Sequence, residues 1–68
     1  MPALTVNGER RESAAATVAA LLEEEKVPLD AKGVAVALNG ALVRRTEWSE
    51  TALAAGDTVE IVKPFSGG

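Results

Sequence analysis

Apolar residues in this chain fall into short clusters, each bounded by residues that turn the backbone or charge it. Two Asn-Gly pairs, Asn7-Gly8 and Asn39-Gly40, are the sharpest of these boundaries, and each lies between strand-like runs. A two-residue hairpin loop of type I′ needs φ > 0 at both central residues, a demand Asn and Gly meet best. The first pair therefore predicts a hairpin in which Ala3–Val6 returns as Glu9–Glu12, with Val6 opposite Glu9 and Leu4 opposite Arg11. Its return arm is wholly charged, as suits an edge strand that must not pair with other chains. The second pair turns Val34–Leu38, apolar on both faces and so suited to the inside of a sheet, into Ala41–Arg45, with Val43 opposite Val36. Two arginines close that arm and mark it as the other outer strand.

Between the hairpins, Val18, Leu21 and Leu22 follow the i, i+3, i+4 spacing of one buried helical stripe, and Thr17 is placed to cap it. The position of a capping-box Glu is taken by Ala20, and Ala14 to Ala16 leave open a helix that reaches back to Ser13. Glu23 to Lys26 read as the wet face, and Pro28 as the terminator, because a residue before proline is pushed out of the α region. Thr46 to Ala55 shows no period, Ala55-Gly56-Asp57 reads as a turn, and Thr58–Val62 is the last strand, with Val59 and Ile61 inward. Val62 shares the outward face with Thr58 and Glu60.

The order is hairpin, helix, hairpin, turn, strand. A hairpin at each side leaves a central gap, and the last strand fills it by pairing with both Ala3–Val6 and Val34–Leu38. The helix then covers one face, burying Leu21 and Leu22 over Leu4, Val6, Val36, Val59 and Ile61. This is an α+β fold, a single ubiquitin-like β-grasp domain over residues 1–63 with a mixed sheet of about five strands and one main helix on one face. Residues 64–68 are expected to form a flexible C-terminal Gly-Gly tail, since Pro64 lacks a ladder donor and Gly67-Gly68 disfavour order.

Composition narrows the chemistry. With 68 residues, a drug-sized cavity of about 300 Å³ is more than so small a core can enclose. The chain has no His, Cys or Tyr, so Ser13, Ser49 and Ser66 lack the imidazole that usually activates a hydroxyl, and zinc and iron–sulfur sites lack their ligands. Disulfides are impossible. Seven basic against ten acidic residues give net charge −3, which argues against nucleic acid as a partner. No apolar stretch approaches the ~20 residues of a membrane span, and no secretory leader is recognisable, so a cytoplasmic location is expected. The expectation is a protein that is not itself an enzyme.

What remains is the tail. Five residues from Pro64 to Gly68 reach up to roughly 17 Å beyond a central strand, about the depth of an enzyme cleft. Gly67 and Gly68, lacking Cβ atoms, can pass a channel too narrow for other residues. The group delivered is the α-carboxylate of Gly68. A carboxylate is a poor electrophile, but transfer of AMP onto it makes a mixed anhydride that sulfur or nitrogen can attack, with a partner enzyme supplying the chemistry.

The runs Val6–Glu9 (VNGE), Thr17–Glu24 (TVAALLEE), Val34–Trp48 (VAVALNGALVRRTEW) and Gly56–Val62 (GDTVEIV), with the closing Gly67-Gly68, resemble the ThiS sulfur carrier family of thiamine biosynthesis across essentially the whole chain. Arg44 stands where that family often has Pro, and the ending KPFSGG is nearer to that of the molybdopterin-synthase small subunit. The resemblance implies a cycle on Gly68: an E1-like adenylyltransferase adenylates its carboxylate with ATP, and a cysteine desulfurase or rhodanese-type persulfide donor converts it to a thiocarboxylate. Thiazole synthase then takes the sulfur. The carrier is a cosubstrate with no cofactor of its own. Gly68 is thus the reactive residue, Gly67 and Ser66 thread the tail, and Phe65, Pro64 and Val62 are candidate partner contacts. Phe65 either anchors the tail in a partner pocket or folds back on the sheet. Trp48 reads as closing a small core, and Arg44 and Arg45 as solvated edge charges. Other readings are a carrier for molybdopterin, cysteine or tRNA thiolation, a ubiquitin-like tag, and a plain interaction domain.

Overall fold

Both Asn-Gly pairs adopt the left-handed backbone of a type I′ loop, with φ of 51° and 84° at Asn7 and Gly8 and 50° and 86° at Asn39 and Gly40. The computed structural model describes residues 3–63; Met1, Pro2 and the expected tail, residues 64–68, lie outside them. Its elements are β1 (Ala3–Val6), β2 (Glu9–Glu12), α1 (Val18–Glu24), β3 (Ala35–Leu38), β4 (Ala41–Val43), a 3₁₀ turn (Arg45–Glu47) and β5 (Thr58–Val62). The five strands form one sheet in the order β2-β1-β5-β3-β4, the β-grasp topology. The registers Leu4 opposite Arg11, Val6 opposite Glu9 and Val36 opposite Val43 are those the turn chemistry requires. β5 runs parallel to β1 and antiparallel to β3.

One face of this sheet is dry. Leu4, Val6, Val36, Val43, Val59 and Ile61 pack with Val18, Leu21 and Leu22 of α1, and the helix residues and Val36 and Val59 are wholly inaccessible to solvent. Each such side chain contributes about 1.5–3 kcal/mol by leaving water, so this layer dominates the stability.

The helix starts at Val18 and does not reach back to Ser13. The Thr17 hydroxyl accepts the Ala20 N–H at 3.1 Å, and the carbonyls of Thr51 and Trp48 accept the Val18 and Ala19 N–H groups at 3.0 Å each. The aperiodic stretch after β4 therefore serves as a cap: it satisfies the donors that a helix start leaves without partners. Trp48, in the same stretch, is buried and donates its Nε1–H to the Val43 carbonyl at 3.0 Å.

The helix does not run to Pro28. Lys26 takes φ 61°, and the Lys26 and Val27 N–H groups reach back to the Glu23 and Leu22 carbonyls at 3.0 and 2.9 Å. That is a Schellman termination with lysine in the left-handed position usually held by glycine, fixed by the burial of Val27. Nor are Glu24 and Glu25 simply wet. Glu25 pairs with Arg11 of β2, and Glu24 accepts the hydroxyl of buried Ser13 at 2.7 Å. Arg45 is likewise more than a solvated edge charge. It donates to the Leu29 and Ala31 carbonyls and lies 5.0 Å from the Trp48 ring centroid, tying the loop after α1 to the 3₁₀ turn.

Candidate functional site

The face of the sheet opposite the helix is open, and alternation along the strands decides what it displays. On β5 the buried Val59 and Ile61 leave Thr58, Glu60 and Val62 outward. On β3 it is Ala35 and Ala37, and on β4 it is Leu42. Register aligns Leu42 with Ala37 and Ala35 with Val62. Leu42 is 72% and Val62 62% exposed, and only the small alanines of β3 lie between their strands. The result is an exposed apolar patch that reaches the exit of β5, with Glu60 opposite Ala37 and the exposed charges of Arg44 and Lys63 nearby.

Val62 therefore sits where the sequence places it, on the outward face at the end of the central strand. Pro64, Phe65, Ser66, Gly67 and Gly68 lie outside the described residues. Leu42 went unmarked in the sequence. The signal was present in the alternation of β4: once Val43 is assigned inward opposite Val36, its neighbour must face out.

The strand end is held by an unusual pair of contacts. In both type I′ loops the first residue is an asparagine that grips β5 twice. Asn7 donates its backbone N–H to the Val59 carbonyl at 2.9 Å, and its side-chain Oδ1 accepts the Ile61 N–H at 2.7 Å. Asn39 donates its backbone N–H to the Thr58 carbonyl at 2.7 Å, and its Oδ1 accepts the Thr58 N–H at 2.9 Å. Where each neighbouring strand turns away, an asparagine side chain replaces the carbonyl that the ladder loses. Asn7 acts at the exit end of β5 and Asn39 at its entry.

Among the described residues, the other groups form no catalytic arrangement. Ser13 is 2% exposed, and its hydroxyl is used up between Glu24 and the Ala15 N–H. An open depression at the β1–β2 side is lined by Ala3, Thr5, Arg10, Ala55 and Gly56, with Arg10 its single ionisable residue. Among the described residues, no three acidic, His or Cys side chains converge as metal ligands would, and no helix is long and apolar enough to cross a membrane.

Comparison with curated proteins finds no match. Solved structures do match. The crystal structure of the thiamine biosynthesis protein ThiS from Geobacter metallireducens is 36% identical, covers 97% of this chain and 99% of its own, and superposes with a TM-score of 0.77. The solution structure of a thiamine biosynthesis protein from the same organism is also 36% identical over 97% of this chain and 87% of its own, with a TM-score of 0.79. The ThiS family model spans residues 4–68, from the first buried leucine of β1 through the final glycine, and by that match the chain belongs to the ThiS family.

Proposed function

We propose that this protein is a sulfur carrier in thiamine biosynthesis, with the α-carboxylate of Gly68 as its reactive group. The observation that carries the reading is the central position of β5, which sends the chain out of the middle of the sheet beside the exposed Val62 and Leu42. A family match that runs through Gly68 supports it. An E1-like adenylyltransferase transfers AMP from ATP to the carboxylate, releasing pyrophosphate. The persulfide of a cysteine desulfurase or a rhodanese-type protein then displaces the AMP to form an acyl disulfide. A second thiol attacks the donor's sulfur, so that the S–S bond breaks to leave a thiocarboxylate on Gly68 and a disulfide on the donor side. Thiazole synthase consumes the sulfur and returns the carboxylate. The chain contributes no acid, base or cofactor. It contributes a docking face and a narrow delivery arm: Val62, Pro64 and Phe65 against the partner, Ser66 and Gly67 in its channel.

The test is mass spectrometry of the full chain incubated with ATP, an E1-like adenylyltransferase and a persulfide donor. A carrier gains the mass difference between sulfur and oxygen at Gly68, and deletion of Gly68 abolishes the gain. Isopeptide adducts on lysines, or an unchanged mass, overturn the reading.

A further inference from the structure

We propose that Asn7 is a positioning residue for the reaction at the C-terminus: its side chain fixes the direction in which β5 leaves the sheet. This deepens the carrier reading and rests on it. Within β5 the N–H groups face alternate neighbours, and the Ile61 N–H is the last of them on the β1 side. β1 ends at Val6 and turns away, so no backbone carbonyl of β1 remains to receive that N–H. The Asn7 Oδ1 takes it at 2.7 Å across 54 residues of sequence. On the other side Val62 pairs with Ala35 of β3. Remove the Asn7 oxygen and the last residues of β5 are held from one side only, so the arm they launch leaves over a wider range of directions.

Such a loss appears in turnover before binding. Asn7 makes no hydrogen bond to Leu42, Val62 or the β3 alanines, and Val62 keeps its pairing with Ala35 of β3 when the Asn7 side chain is lost, so KM is expected to hold. A carboxylate that reaches the adenylating centre in fewer productive orientations lowers kcat, because misplacement by about 1 Å is enough to slow a reaction substantially.

The experiment compares three variants of the full chain. Asn7→Gly keeps the left-handed loop without strain and removes the side chain, and with it the acceptor of the Ile61 N–H. Asn7→Asp restores an acceptor at the same place. Asn39→Gly removes the matching acceptor at the far end of β5, together with the Asn39 donor to Asp57. Adenylation is followed as pyrophosphate release with an E1-like adenylyltransferase and ATP, and Ile61 amide exchange is followed by NMR. Asn7→Gly is expected to lower kcat about tenfold at unchanged KM and to speed Ile61 exchange by about tenfold. Asn7→Asp is expected to recover both. Asn39→Gly, with a similar fall in thermal stability, is expected to keep kcat. Equal kcat losses in the two glycine variants, or a wild-type kcat in Asn7→Gly, overturn the role of Asn7 while leaving the carrier reading intact. A wild-type chain that releases no pyrophosphate overturns both.

Discussion

Trp48 does two things in this small fold: it fills the core, and it closes a buried hydrogen bond. Replacing it with Phe retains most of the apolar contact but strips the Val43 carbonyl of its buried donor, an expected loss of about 1–3 kcal/mol in urea denaturation. Trp48→Ala adds a cavity and is expected to lose about 3–5 kcal/mol. Asp57 gives a different kind of prediction. Its carboxylate accepts the Ala54 N–H at 2.8 Å and the Asn39 Nδ2–H at 3.1 Å, and these contacts, Ala54 first, hold its pKa below the ordinary 3.8. A depressed pKa means the folded state prefers the charged form. The stabilisation is therefore complete above the ordinary value and lost as pH falls through the lowered one. Thermal melts from about pH 2 to 6 are expected to show a steeper acid fall for the native chain than for Asp57→Asn.

At the scale of elements, the helix end is the place to test local strain. Lys26 holds the left-handed conformation that costs a side chain about 1–2 kcal/mol and glycine far less, so Lys26→Gly is expected to raise the unfolding free energy by about 0.5–1 kcal/mol, seen as a higher urea midpoint at constant m. This end was the part of the fold least legible in the sequence. Pro28 is a genuine breaker, but burial of Val27 pulls the chain into its turn before proline acts. No residue-type signal marks a lysine that will accept positive φ. The turns and registers of both hairpins were legible because Asn-Gly fixes loop type, loop type fixes register, and register fixes which side chains meet. The second hairpin is shorter than expected, β3 starting at Ala35 and β4 ending at Val43, with the two arginines in the turn that follows. The stretch from Thr46 to Ala55 was opaque for the opposite reason. Its task is to supply carbonyls to the helix start and seat Trp48, and backbone oxygens leave no pattern in side chains.

For the whole molecule, the outward face should separate from the fold. Leu42→Ser and Val62→Ser remove exposed apolar groups, so each is expected to change thermal stability little while raising KM for the adenylating partner about five- to tenfold, as loss of a docking contact worth over 1 kcal/mol would. The central place of β5 was legible because two hairpins with charged outer arms leave one vacancy. The doubled asparagine grip was not, since it joins residues 19 and 54 positions apart and depends on atoms rather than on residue class. That central strand also governs manufacture. While the ribosome has yet to release residue 58, a nascent chain owns two hairpins and a short helix but no continuous sheet to join them. Any product cut short before that point lacks the strand that joins the two hairpins, so the sheet closes only once its last strand has been made.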